Sequence, residues 1–133
     1  MSETSTTTYP DNGPLAVLAR LGFSATLLAI FLASIAPGWL TPQLLGSHHL
    51  EHFAAFYVAA CAGLAAMPRT QIRRIAVGYL LFALILAVTQ YARGATSEMA
   101  IRNWVADAGG VLAALSPVVV ERFRRLFAPR AGN

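Results

Sequence analysis

Between residues 21 and 39 the chain carries no charged side chain, and residues 50–67, 75–92 and 103–120 form three further stretches of mainly apolar character. Each is near the roughly 20 residues that a helix needs to cross a hydrocarbon layer about 30 Å thick. A backbone in lipid must satisfy its own hydrogen bonds, so such segments read as α-helices. The expected fold class is therefore all-α: a polytopic membrane protein built as a four-transmembrane-helix bundle, with both termini cytoplasmic. Composition points the same way, because 56% of the residues are hydrophobic, 12% are charged and the mean hydropathy is +0.57. That balance excludes a soluble enzyme. A chain of 133 residues also leaves no room for a second domain beside the bundle.

Residues 1–14 are rich in Thr and Ser, with a Pro and an Asp-Asn-Gly turn signal, and read as a short disordered cytoplasmic tail. Residues 15–120 form the transmembrane domain, and 121–133 form a basic cytoplasmic tail that either continues the fourth span or lies along anionic headgroups. A competing account makes 15–36 a cleavable signal sequence ending at Ser34-Ile35-Ala36. Against it stand Pro37 directly after that site, a first arginine as late as Arg20, and further spans immediately downstream.

The formal charge is +4 and every basic residue is arginine. Nucleic acid is excluded as a partner because the arginines form no aromatic-interleaved stripe and lie between apolar runs. Their placement orients the bundle instead. Arg69, Arg73 and Arg74 fall in the second connection, Arg122, Arg124, Arg125 and Arg130 in the tail, and Arg20 before the first span. The opposite side holds only Arg93 and Arg102, so it faces outward, with Trp39 and Trp104 at its interface.

That topology collects polar residues from three helices at one level. The second span starts with Glu51 and His52, the third ends with Gln90 and Arg93, and the fourth starts with Asn103 and Asp107. Beneath them, His52, Phe56, Ala59 and Gly63 share one helical face, as do Ala83, Ala87, Gln90 and Arg93 on span three and Asp107, Gly110 and Ala114 on span four. Small residues on these faces allow close helix approach. Asp107 lies about one turn inside its span, where a lone charge costs a few kcal/mol, and Arg93 is its expected bidentate partner.

Candidate catalytic residues are His52, Glu51 and Asp107. An imidazole with an unperturbed pKa of about 6.5 exchanges protons near neutrality. Glu51 points about 100° away from His52 on a helix, so Asp107 is the better orienter. Candidate ligand-binding residues are Arg93 for a phosphate or carboxylate and Gln90 and Asn103 for amide hydrogen bonds. Each also has a plainer reading: Glu51 as a favourable charge in a first helical turn, His52 as an interfacial side chain, Gln90 and Asn103 as interhelical glue, and Arg93 with Asp107 as a structural ion pair. No metal site is expected, since His48 and His49 sit in a loop and no acidic residue joins them at a ligand spacing. No cofactor is expected, and Cys61 is a small apolar residue without a partner for a disulfide.

The fragment 52-HFAAFY-57 and the stretch 90-QYARGATSEMAIRNWVADAGG-110 resemble two blocks of the VanZ-like family of small bacterial membrane proteins. In that pattern a His-Phe opens one span, a glutamine closes the next, an arginine-bearing loop follows, and two polar residues four apart precede a glycine by three. His52, Gln90, Asn103, Asp107 and Gly110 fall on those positions. The sequence departs from the pattern at Leu50-Glu51, usually Asp-Lys; at Ala87, commonly glutamate; at Asn103, usually aspartate; and in the early placement of Arg93. If the family's chemistry needs that glutamate, this chain has moved the duty to Glu51 or lost it. The resemblance covers residues 45–115 and implies a multi-pass protein of the bacterial cytoplasmic membrane with a role in the cell envelope.

Two functional readings follow. In the first, an outer-leaflet polar site binds or modifies an anionic envelope component, with a membrane lipid or lipid-linked envelope precursor as partner. In the second, the protein is a non-catalytic accessory or interaction protein whose polar cluster is structural. A small transporter is disfavoured, because no polar residue marks the centre of any span.

Overall fold

A computed structural model of the chain describes residues 13–36, 39–40, 43–67 and 70–129. The expected tail at 1–14, the Pro37-Gly38 end of the first span, Arg69 and Arg130 fall wholly or mostly outside these residues. Four helices follow one another: α1 (Pro14–Ile35), α2 (His48–Ala66), α3 (Ile72–Ala92) and α4 (Ser97–Phe127). Pro14 opens α1, where the missing N–H costs nothing. Thr96 caps α4 by accepting the Met99 amide at 3.2 Å, with Glu98 in the first turn. Between α3 and α4 the turn is set by Gly94 at φ +102, a conformation that favours glycine. The Ala95 amide donates to the Gln90 carbonyl and that of Gly94 to the Tyr91 carbonyl, both at 3.0 Å, which closes α3 with a Schellman motif.

The expectation of four membrane spans is corrected here. Three helices, α1, α3 and α4, are long and apolar enough to cross a membrane. The shortfall is in α2, whose first five residues include three histidines and Glu51. Its apolar part, 53–66, reaches only about 21 Å at 1.5 Å per residue, short of an average hydrocarbon layer of about 30 Å. Span length therefore supports three crossings rather than four, although the alternating helices still leave the start of α1 and the end of α4 at the same end of the bundle. What α2 supplies instead is the centre of the bundle. It packs most extensively on α4, then on α1, and buries Phe56, Ala59, Ala60, Gly63 and Ala66.

Adjacent helices alternate in direction, so α2 and α4 run the same way, side by side. One end of the bundle therefore gathers the last turns of α1 and α3 with the first turns of α2 and α4. The core below this end joins Phe56, Ala59, Ile75, Tyr79, Ala83, Leu86, Val111 and Ala114. Glycine permits its closest contact: a Cβ on Gly110 would lie 2.3 Å from the Phe53 carbonyl oxygen. Tyr79 donates its hydroxyl to the Ala59 carbonyl, so α3 is tied to α2 within the core. The outer surface is rich in Leu, Val, Ile and Phe, as expected where lipid is the solvent. Helix α1 is the least enclosed element, with Ala16 and Ile30 as its buried residues.

The fourth helix is longer than the expected span at 103–120. It runs from Ser97 through Pro117 to Phe127 without a break, so residues 121–127 of the basic tail prolong it. Glu121 pairs with Arg125 at 2.9 Å, one helical turn away.

Candidate functional site

At the polar end, the His52 ring donates from Nδ1 to Asp107 Oδ1 at 2.8 Å. The Asp107 side chain is 2% exposed and that of His52 12% exposed. A carboxylate so deeply enclosed needs a fixed donor, and the α2–α4 contact supplies one. The expected Arg93–Asp107 pair is therefore corrected. Arg93 instead donates from its guanidinium to the Ile35 carbonyl at 2.7 Å, capping the last turn of α1. Arg93 sits in the turn beyond α3 and is exposed, whereas Asp107 lies behind the histidine in the α2–α4 seam.

A second rung lies closer to the bundle end. His49 donates from Nδ1 to Asn103 Oδ1 at 3.1 Å, and Asn103 donates from Nδ2 to Gln90 Oε1 at 3.0 Å. Three helices are joined by this chain of side chains. Because α2 and α4 run in parallel, His49 and His52, three apart, meet Asn103 and Asp107, four apart, in the same order. His48 and His49 lie in the first turn of α2 rather than in a loop, which is what brings His49 into the network. That pairing of spacings is the signal that could have nominated His49 from the sequence. The His48 ring stands edge-on to His52, with centroids 4.7 Å apart.

Glu51 faces elsewhere. Its carboxylate accepts the backbone amides of Leu44 and, at 3.1 Å, Leu45, and so folds the α1–α2 connection back over the start of α2. It neither touches nor orients His52. Trp104, expected at the membrane interface, packs partly against the core, and its buried indole N–H has no partner among the described residues. Trp39 is 82% exposed.

These elements border an open cavity of about 890 Å³ lined by α1, the α1–α2 connection, α2, the end of α3, the α3–α4 turn and the start of α4. Its polar lining includes His48, Glu51, His52, Gln90, Arg93 and Asn103, so five of the six candidate residues face one space. The sixth, Asp107, stands behind His52. With Nδ1 of His52 occupied, Nε2 is the ring nitrogen left for a cavity ligand. The lining offers an anion the Arg93 guanidinium and, when the ring is protonated, the His52 Nε2–H, and a hydrogen-bonded His–Asp pair can take up or release that proton. Among the described residues, no three His, Cys, Asp or Glu side chains converge in a metal-binding group.

Fold and site together define a helical, multi-pass membrane protein whose bundle holds a buried polar cluster near one end, the His52–Asp107 pair. No protein-family model, curated protein or solved structure matches this chain.

Proposed function

We propose that this chain is a VanZ-like protein of the bacterial cytoplasmic membrane that binds, and through His52 exchanges a proton with, an anionic envelope component at the outer leaflet. The observation that carries the reading is that buried Asp107 pins one ring nitrogen of His52, while the ring itself lines a cavity shared with Arg93, Gln90 and Asn103. The two sequence blocks that carry the family resemblance meet at this point, His52 from the first and Gln90, Asn103 and Asp107 from the second. Arginine asymmetry supports the outward placement. Among the described residues, Arg20, Arg73, Arg74, Arg122, Arg124 and Arg125 lie toward the far end of the bundle, and Arg93 and Arg102 near the polar end.

A second reading, a non-catalytic accessory protein with a structural cluster, is favoured by a different observation. Most of the polar groups already join one helix to another, as in the His49–Asn103–Gln90 chain and the Arg93–Ile35 bond.

The two readings separate in a titration of the full chain in detergent with inorganic phosphate, followed through the histidine ring resonances. Phosphate is expected to shift the His52 signals. Arg93→Gln should weaken the titration by at least about tenfold, the loss of one charge-assisted hydrogen bond, at unchanged folded yield. Absence of any phosphate-induced shift, or an Arg93→Gln titration equal to wild type, overturns the binding reading in favour of the structural one.

A further inference from the structure

The cavity at the polar end is far larger than an anion needs. A space of about 890 Å³ is many times what a phosphate group fills. The remainder runs along α1 and α2. On α1 the lining extends from Ala36 to Thr26, ten residues or about 15 Å along the axis. On α2 it extends from His48 to Val58, again about 15 Å.

Polarity in this space is sorted by depth. The charged and amide groups cluster at the end where the first turns of α2 and α4 meet Arg93. Farther in, the walls are mainly alanine and other apolar residues, including Ala29, Ala33, Ala54 and Val58. Two hydroxyls on the α1 wall are already engaged by their own helix. Thr26 Oγ1 donates to the Gly22 carbonyl at 2.7 Å and Ser34 Oγ to the Ile30 carbonyl at 2.8 Å. Neither hydroxyl proton is left to call for a polar ligand atom. Ala29 and Ala33 are one turn apart on α1 and exposed, so their smallness opens a channel instead of drawing two helices together. This wall belongs to a helix that is itself long and apolar enough to span the membrane, which puts the channel within reach of lipid chains.

From this geometry we infer that the ligand is an anionic lipid, with its headgroup between Arg93 and His52 and one hydrocarbon chain lying in the alanine-walled channel between α1 and α2. The inference rests on the anion-binding reading above and adds the class of ligand. A chain gains little by exchanging one apolar solvent for another, so the headgroup supplies the preference and the channel supplies the fit. A water-soluble phosphate compound would leave the channel unfilled, and in a zwitterionic lipid the added cation offsets the attraction of its phosphate to Arg93, while the Glu51 carboxylate on the same lining is already engaged by the Leu44 and Leu45 amides.

The test is photocrosslinking of the full chain in lipid nanodiscs with two probes that carry a diazirine at the middle of one chain. One probe is a phosphatidic acid and the other a phosphatidylcholine of the same chains. With phosphatidic acid, adducts are expected to concentrate at residues 29, 33, 54 and 58. Phosphatidylcholine should label the outward faces of α1, α3 and α4 without that concentration. Filling the channel with Ala29→Leu and Ala33→Leu, both on an exposed wall, should lower the channel adducts by about tenfold. The phosphate-induced shift at His52 should persist in that variant. Phosphatidic acid adducts spread evenly around the bundle, or equal channel labelling by both probes, overturn the lipid inference, and an intact phosphate response would then leave the binding reading standing. If the phosphate response is absent as well, both fall.

Discussion

Replacing Gly110 by alanine probes the contact on which the whole polar end depends. The added Cβ would stand 2.3 Å from the Phe53 carbonyl oxygen and 3.0 Å from the Tyr57 amide nitrogen. Both are backbone atoms of α2, so no side chain can rotate aside. Ordinary contact begins near 3.4 Å, and the helices must part by about 1 Å at this crossing. Overpacking of this kind costs about 1–3 kcal/mol. The movement falls one residue from His52 and three from Asp107, and about 1 Å added to their 2.8 Å hydrogen bond breaks it. Unfolding by SDS titration from mixed micelles measures the first effect, and the His52 ring resonances report the second. Two controls bracket the result. A Cβ on Gly78 meets nothing within 4 Å, so Gly78→Ala should be neutral or gain up to about 1 kcal/mol from helix propensity. A Cβ on Gly109 would meet the Phe53 ring at 3.4 Å, an ordinary contact, and should also be tolerated. Wild-type stability and unchanged His52 signals in Gly110→Ala, or equal losses in all three variants, would refute the reasoning.

Two further outcomes follow from single contacts. Tyr79→Phe removes the hydroxyl that donates to the Ala59 carbonyl and should lower unfolding free energy by about 0.5–1.5 kcal/mol, with the phosphate response at His52 intact; an unchanged unfolding curve would discount the bond. His48, at the rim, is held below its ordinary pKa of 6.5, first by loss of solvent and then by His52, with His49 acting in the same direction and Glu51 and Asp107 opposing. Just below pH 6.5 the unfolded chain therefore binds more protons at this position than the folded one, so the His48 contribution is fully present above 6.5 and lost on acidification. The same SDS titration repeated at stepped pH should show stability falling below 6.5, with a shallower fall in His48→Gln; an identical slope in both proteins would remove His48 as a cause.

Much of the architecture is legible in the residues. Charge-free stretches mark the long helices, because few folded states other than a membrane-crossing helix tolerate so many adjacent apolar side chains. Gly94 before a Thr cap marks the α3–α4 turn, and short connections force neighbouring helices to be antiparallel. From that alternation alone, Gln90, Arg93, Asn103, Asp107, Glu51 and His52 come to one end of the bundle. The standing of α2 was less legible. A stretch drawn from 50 to 67 looks long enough to span, whereas the helix begins at His48 and puts its polar residues among its first five, leaving 53–66 as the apolar part. Helix ends depend on capping and on the preceding loop, and here Glu51 itself holds that loop.

What the order of residues settles without any tertiary contact is which segments are apolar, which end of each is polar, and which side chains share a helical face, because all three depend only on local geometry. Which polar groups pair is a tertiary matter. Arginine and aspartate attract over distance, yet Asp107 meets His52 and Arg93 meets the end of α1, because Gly110 lets α2 and α4 approach to backbone contact and the rotation of each helix then selects the partner. The cavity has the same origin, since alanines on α1 can either close a helix seam or leave a space, and only the seating of α1 against α2 decides between them.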